Sequence, residues 1–334
     1  MKPNLETYDQ FLRLMSEHIN NSEVSVIIVN RNTSGLLINC LSSVFDSDLK
    51  QPPEVIVVDN GSNDDSVEKT RTVFPRVNVY EAGRNLGFAA ANNLGASKTR
   101  GDFLLLVNTD VVLEKNTVSK MLELAEGNSR IGIVAPQLLN NDGTNQTSYE
   151  ATPTLLTECT NRSLLKRMFP KRYPGKNQNL VEPIDVETVI GAVMLIRRKA
   201  FEDLGGFDEG YFFFFEETDL AVRLRLAGWL VKHEPMARAT HLQGGSAKSA
   251  PAGARIEFYR SRYIFFEKFY GKASRNFLKS VVILNLGLNT IAYGLMNLVT
   301  LGRIKEISQK CSVLNTLLKW HLQGCPQSYG LPRD

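Results

Sequence analysis

Between residues 24 and 136 short β-branched runs alternate with stretches of helical spacing, and that alternation leaves few folds open: parallel βαβ units wound into one twisted sheet. Strands are expected at 24–30, 54–59, 77–80, 103–108 and 131–135. Most are continuous apolar runs, such as Val55-Ile56-Val57-Val58 and Leu104-Leu105-Leu106-Val107, which suits strands covered on both faces. Three of them end on a polar residue, Asn30, Asp59 and Asn108, the last followed by Thr109 and Asp110. Ligands of open α/β sheets bind beyond the carboxyl ends of the strands, so these side chains are expected to converge on one crevice.

Beyond about Asn140 the pattern loosens into a Pro-, Lys- and Arg-bearing stretch, read as surface loop. Order returns near Val186: residues 187–197 read as one buried strand, followed by a short helix closed by Gly205-Gly206, a helix over 217–227 and a short strand over 237–241. Residues 280–302 are 23 positions without a formal charge, long enough to span a bilayer but diluted by Asn285, Asn289, Asn297 and two threonines. A spanning helix, an interfacial or re-entrant helix and a buried helix all fit that composition. Ile304, Ile307, Cys311, Leu314, Leu318 and Leu322 then recur at helical spacing, which predicts a second, amphipathic helix.

Hydrophobic residues at 43% and charged residues at 22% exclude a disordered chain. The net charge of +4 is small but uneven. Residues 255–279 hold seven Lys or Arg against Glu257 and Glu267, and residues 162–176 hold six and no acid. Such patches sit on solvated faces or meet anionic headgroups and diphosphates; no nucleic-acid module accompanies them, so nucleic acid is not expected as a partner. Cys40, Cys159, Cys311 and Cys325 are scattered, and the first 21 residues are polar and interrupted by Glu6, Asp9, Arg13 and Glu17. Both features lead us to expect a reducing, cytoplasmic setting.

Five motifs carry chemistry. Asn108-Thr109-Asp110 is an Asn variant of D-x-D: the first position can hold ribose hydroxyls, and the third supplies a hard oxygen to a divalent ion that also uses diphosphate oxygens. The same spacing caps helices. Asp59-Asn60-Gly61-Ser62 places an acid at a tight turn, where a carboxylate can accept a base-ring N–H, or where the chain merely turns. Gly83-Arg84-Asn85-Leu86-Gly87-Phe88 is a glycine-rich helix entrance that can present amides and an arginine to phosphate or base. It lacks G-x-G-x-x-G, so a dinucleotide site is not indicated. Glu216, Glu217 and Asp219 follow the aromatic run 211–215; adjacent carboxylates raise one another's proton affinity, as a general base requires, although a solvated helix start looks the same. His241 closes the last strand, where a lone histidine is more often structural than a ligand.

In this order the motifs resemble glycosyltransferase family 2, of GT-A fold, and within it the rhamnosyltransferase-like branch; the resemblance covers about residues 24–270. It implies an α/β, GT-A type, doubly wound, mostly parallel sheet with a C-terminal helical appendage. The domains would be an N-terminal helical extension over 1–22, a glycosyltransferase domain over 23–270 and a membrane-associating helical segment over 271–334. The middle domain would divide into a nucleotide-binding half over 23–136 and an acceptor and catalytic half over 137–270. Nucleotide-sugar contacts would come from Val29, Asn30, Asn32, Asp59, Gly61, Arg84, Asn85, Gly87, Asn108 and Asp110, and metal ligands from Asp110 and His241. Glu217 falls where the family carries its base, with Glu216 and Asp219 as neighbouring candidates; Arg223, Arg260 and Arg262 would face acceptor or diphosphate. This sequence departs from the family at Asn108, in place of the first acid, and at Glu217, in place of an aspartate.

The implied activity is inverting transfer of a sugar from a nucleoside diphosphate, aided by Mg²⁺ or Mn²⁺, to a glycan or polyprenyl-diphosphate-linked acceptor at the inner face of the cytoplasmic membrane. A homodimer is compatible with it. The favoured donor is dTDP-rhamnose, with UDP-hexoses and galactofuranose as alternatives. A sugar nucleotidyltransferase would open with a Gly-rich phosphate loop where this chain has Asn30-Arg31-Asn32-Thr33-Ser34-Gly35. A non-catalytic carbohydrate-binding descendant would have no use for acid, metal and nucleotide motifs together.

Overall fold

The chain runs from β1 (Val24–Asn30) through α1 (Ser34–Phe45), β2 (Glu54–Asp59), α2 (Ser66–Val73), β3 (Asn78–Glu81) and α3 (Phe88–Ser97) to β4 (Phe103–Val107). Next come β5 (Val111–Leu113), α4 (Thr117–Glu126), β6 (Ile131–Leu139), β7 (Tyr149–Glu150), α5 (Leu155–Cys159), β8 (Ile184–Asp185) and β9 (Thr188–Val189). They lead to β10 (Val193–Arg197), α6 (Arg198–Asp203), α7 (Glu216–Leu226), β11 (Leu230–His241), α8 (Pro251–Val299) and α9 (Lys305–Leu322). This computed structural model describes residues 23–160, 165, 167, 168, 180–242 and 250–333. The expected extension over 1–22 and most of the basic run at 162–176 lie outside the described residues.

One sheet in the order β3-β2-β1-β4-β10-β6-β11-β5, with β8 paired to β11, organises the molecule. Its first four strands are parallel, as the β-α alternation requires. Antiparallel β10 then sits between β4 and β6, and β11 resumes the parallel direction beside β6. Alternation along β1 shows why its run is apolar throughout: Val26 and Ile28 enter the core under α1 and α4, while Ile27 enters the core on the other face, with Ala89, Phe201 and Leu220. Both faces are covered, so the polar strand ends are left at one edge.

Three expectations change. Residues 187–197 are not one strand: β9 and β10 are separated at Ile190, Gly191 and Ala192, because Ile190 N–H donates to the Ser148 carbonyl and the Ala192 carbonyl accepts from Asn108 N–H. The final strand is longer than 237–241, running the whole of β11, with its register shifted between Glu234 and Arg238. Pro235, which has no N–H to give a ladder, lies in that interval. The uncharged run 280–302 is not a buried helix: it belongs to α8, in which the most apolar 18-residue window is only 11% buried.

Helix α8 breaks at Gly271, where φ is 82°. Its first part, 251–270, sends Ile256, Tyr263, Phe265 and Phe266 into a third core that Tyr211, Phe215, Leu314, Leu317 and Trp320 share. Its second part, 272–299, packs Leu278, Val282 and Leu286 into the same core and leaves Leu284, Leu288, Ile291, Leu295 and Leu298 exposed.

His233, fully buried on β11 against the Tyr149 ring, has its pKa lowered from 6.5 to about 4 because burial disfavours the imidazolium. A depressed folded-state pKa in a base leaves stability intact above pH 6.5 and removes it progressively as pH falls from 6.5 to 4, by about 3 kcal/mol. Urea midpoints measured across that window should therefore fall more steeply for the wild type than for His233→Leu. Parallel curves would show that His233 makes no such contribution.

Candidate functional site

The carboxyl ends of β1 and β2 are bound to each other through side chains. Asn30 is buried and its amide donates to Asp59 Oδ1 and to Ser62 Oγ, each at 3.0 Å, while Ser62 N–H donates to Asp59 Oδ2 at 3.0 Å. Asn60, also buried, donates to Asn85 Oδ1 at 2.9 Å and accepts from Leu86 N–H at 2.7 Å. Asn32, at φ 53°, accepts from Asn63 N–H at 2.7 Å. Gly61, at φ 77°, has the Arg84 backbone where a Cβ would stand, 3.0 Å away. Asp59, Gly61, Arg84 and Asn85 are thereby gathered at one edge, with Arg84 exposed and Val29 half-buried beside Asn30.

Gly87 closes this cluster against a distant segment. Its φ is 85°, and a Cβ there would fall on the Phe212 carbonyl oxygen, which accepts from Phe88 N–H at 2.8 Å. Only glycine satisfies both the backbone angle and the approach. The turn that carries Asn85 is thus joined to the aromatic run that enters α7.

A hydroxyl bridge leads to the second group: Thr33 Oγ1 donates at 2.8 Å to Asn30 Oδ1 and lies 2.9 Å from Thr109 Oγ1. Asn108 Oδ1 is buried with no hydrogen-bond partner, an acceptor left for something the chain does not supply. Asp110 meets His241 because β5 pairs antiparallel with the end of β11, setting His241 opposite Val111. Their side chains are half-buried, with His241 Nε2 3.5 Å from Asp110 Oδ1.

Gln146 fixes the tautomer: its Nε2 donates to the carbonyls of Leu139 and His241, so its Oε1 faces His241 Nδ1 at 3.2 Å and receives that N–H. In the neutral ring the Nε2 lone pair is then the atom nearest a carboxylate oxygen. Two opposed acceptors, an imidazole nitrogen and a hard oxygen, fit a divalent cation between them. No group of three His, Cys, Asp or Glu suited to a metal occurs among the described residues, so further ligands would have to be substrate oxygens or water.

The third group stands at the head of α7. Phe214 and Phe215 are both left-handed, at φ 71° and 70°, and turn the chain so that the helix opens on Glu216 and Glu217. Burial, then the Glu217 charge, holds the Glu216 carboxyl well above its usual range. Burial likewise pushes Glu217 up to about 7, against a hydrogen bond from Gly191 N–H that favours its charged form. Glu217 Oε2 is buried and unpartnered. Gly191 itself leaves only 3.3 Å between a would-be Cβ and Glu217 Cγ. The 190–192 break therefore serves two sites at once: Gly191 seats Glu217, and Ala192 seats Asn108.

Asp219 is a different kind of acid. Wholly buried, it accepts from Arg223 Nε at 2.5 Å and pairs with Lys268 Nζ at 2.7 Å. Two cations absorb its charge, and its removal would strand them at a cost of about 3 kcal/mol. Arg223 also donates to the Leu204 and Gly206 carbonyls, and Arg260 is spent on Glu257 and on the Pro326 and Tyr329 carbonyls. Arg262 pairs with Glu158. The structure thus draws Arg223 and Arg260 into the scaffold and pairs Arg262 with α5.

Gln146 and Pro332 take part with no sequence signal, and Asn60 and Lys268, which lie in a motif and a basic run noted above, take scaffold roles that the sequence does not announce. Gln146 is announced only by sheet pairing, and the Pro332 carbonyl accepts from Asn85 Nδ2 at 2.6 Å across 247 residues of sequence. The Arg333 guanidinium lies over the Phe212 ring, 4.3 Å from its centroid.

Comparison with known proteins places this geometry. The family model described as glycosyl transferase family 2 matches residues 25–205. N-acetylglucosaminyl-diphospho-decaprenol L-rhamnosyltransferase of Mycobacterium tuberculosis (strain ATCC 25618 / H37Rv) is 29% identical over 231 residues, 65% of this chain and 75% of that protein. Rhamnosyltransferase WbbL of Escherichia coli (strain K12) is 23% identical over 48% of this chain and 63% of its own length. The crystal structure of GalNAc-T7 with UDP, GalNAc and Mn²⁺ superposes with a TM-score of 0.53 at 19% identity, over 68% of this chain and 45% of that one, which supports the GT-A type fold. With more than half its residues inside that family model, and with rhamnosyltransferases among its relatives, the chain belongs to glycosyl transferase family 2.

Proposed function

We propose that this transferase works by single displacement with inversion, using a divalent cation and taking L-rhamnose from dTDP-rhamnose, with UDP-hexose or galactofuranose donors as alternatives. The acceptor is a glycan, free or linked to a polyprenyl diphosphate, in cell-surface polysaccharide synthesis. Residues 23–136 bind the donor, 137–270 shape the acceptor and catalytic half, and 271–334 meet the membrane. The observation that carries the reading is Glu217: a carboxylate of pKa about 7 whose Oε2 is buried without a partner, seated by the same backbone break that seats Asn108.

In this reading Asn108 Oδ1 accepts from a ribose hydroxyl, and the braced turn of Asp59, Gly61 and Asn85 holds base and ribose. Glu217 Oε2 takes the proton of the acceptor hydroxyl as that oxygen bonds to the anomeric carbon and the bond to the diphosphate oxygen breaks. Burial and the Glu217 charge both favour the protonated form of Glu216, so the pair resists carrying two negative charges. Asp219 positions the helix head through Arg223 and Lys268. Asp110 and His241 would hold Mg²⁺ or Mn²⁺, which when bound neutralises charge on the departing diphosphate. The Mn²⁺ of GalNAc-T7 and the decaprenol-linked acceptor named for the M. tuberculosis relative support both choices.

Helix α8 is long and apolar enough to cross a membrane by length and composition, and its exposed Leu284, Leu288, Ile291 and Leu295 support a cytoplasmic enzyme seated on the inner membrane face. Lys272 and Lys279 stand at the head of that segment, where each adds about 1 kcal/mol on an anionic surface.

Glu217→Gln should fold, bind nucleotide sugar and lose roughly 10²- to 10⁴-fold in turnover, the contribution of a general base, while Glu216→Gln loses less. Because Glu217 acts deprotonated, wild-type kcat/KM should rise with pH through about 7; reversed losses would move the base to Glu216. Turnover undiminished in excess chelator would remove the cation from the mechanism, and Asp110→Ala should cost at least ~10²-fold. Replacing Leu284, Leu288, Ile291 and Leu295 together by Ser should shift the protein from the membrane fraction to the supernatant at high salt. A wild type that is soluble without detergent would refute the membrane seat.

A further inference from the structure

Three helices of the C-terminal region enclose a cavity of about 270 Å³ on elements other than those that carry Asp110 and His241. Arg255, Tyr259 and Arg262 line it from 251–270 at spacings of four and three, Asn285, Asn289 and Tyr293 from 272–299 at spacings of four, and Lys310 and Leu314 from α9. Each helix turns one stripe inward. Three cations therefore face one carboxylate, Glu158, which pairs with Arg262. Arg262 is 8% exposed and its Nε is buried without a partner. Arg255 makes no ion pair among the described residues, and Lys310 leans on Tyr293, 2.5 Å from its hydroxyl. Like charges gathered in a partly enclosed space repel unless an anion completes them.

The neighbours of this cavity say which anion. Leu284 and Leu288 precede Asn285 and Asn289 in sequence, so the polar stripe borders the exposed apolar stripe of the same helix. On its other side, the segment that brings Glu150 near Glu217 continues into α5, which carries Glu158. A ligand fitting all three features has a multiply charged head, an apolar tail and a second group directed toward Glu217.

The geometry points to this cavity as the subsite for the diphosphate of a polyprenyl-diphosphate acceptor, gripped by Arg255, Arg262 and Lys310, with the prenyl chain along Leu284 and Leu288. This rests on the transferase reading above and names where its acceptor is held. Three cations suit a diphosphate better than a phosphodiester, which needs one. At about 270 Å³ the cavity takes such a head and not a whole sugar nucleotide.

Full-length protein can be titrated with farnesyl diphosphate, with inorganic pyrophosphate and with phosphatidylglycerol vesicles. Farnesyl diphosphate should bind more tightly than pyrophosphate, and Arg255→Ala and Lys310→Ala, both at exposed positions, should each weaken it about tenfold. Binding of dTDP should stay unchanged, which also certifies the fold of the variants. Equal farnesyl diphosphate affinity in wild type and both variants would overturn the assignment. So would phosphatidylglycerol vesicles that displace farnesyl diphosphate as well as unlabelled ligand does, since the cavity would then be a general headgroup site, and so would pyrophosphate binding as tightly as the lipid. A wild type that releases no nucleoside diphosphate from any sugar nucleotide, yet binds farnesyl diphosphate through Arg255, would sink the transferase reading and leave the subsite standing.

Discussion

The approach of Gly87 to the Phe212 carbonyl is the contact on which the arrangement depends. On one side of it the Asn60 and Asn85 amides lock the turn after β2; on the other the left-handed pair Phe214 and Phe215 aims the first turn of α7. Beside it Asn93 exchanges hydrogen bonds with the Phe207 backbone and the Phe88 ring meets Phe213, so the separation of the two clusters is set by this one seam. Transfer between two substrates depends on that separation, because a misplacement of an ångström can cost two orders of magnitude in rate. The conformational freedom of one glycine is thus spent where the Asp59–Asn85 cluster and the head of α7 meet.

Buried charge is divided sharply along α7. Asp219, one turn into the helix, is neutralised by Arg223 and Lys268 and behaves as structure. Glu216 and Glu217, three and two residues earlier, are paired with no cation among the described residues, and desolvation is the largest influence on their proton affinity. The same residue class within four positions serves two ends because one acid faces partners and the others face an unfilled space. A positive helix terminus offsets part of the cost of keeping the pair there.

Much of this was legible in the sequence, and what was hidden has a physical reason. The strands of the first half could be placed because runs such as 55–58 and 104–107 are buried on both faces and broken by turn residues. Asn30 and Asp59 could be placed because they end those strands, and Asn108 and Asp110 because they follow β4 directly. The break at 190–192 could not: Val189-Ile190-Gly191-Ala192-Val193 is apolar enough to read as uninterrupted strand, and only the partners of its backbone show where pairing stops. Gln146 was invisible for a similar reason, since its role comes from the pairing of β5 with β11, nearly a hundred residues away. The exposed stripe of α8 and its buried stripe look alike in composition, and packing against α9 separates them.

The bond between Asn85 and the Pro332 carbonyl has a consequence in time. Its partners lie 247 residues apart, so the turn that carries Asn85 leaves the ribosome long before the backbone that will cap it exists. At roughly 5–20 residues per second, the interval is about 12–50 s. During it α1 to α3 can pack on β1, β2 and β4, while Asn85 is left facing solvent and Phe212 and the third core are still to come. Docking of Pro332 on Asn85 and of Arg333 on the Phe212 ring is then a late step, open only after α7 and the third core have been made.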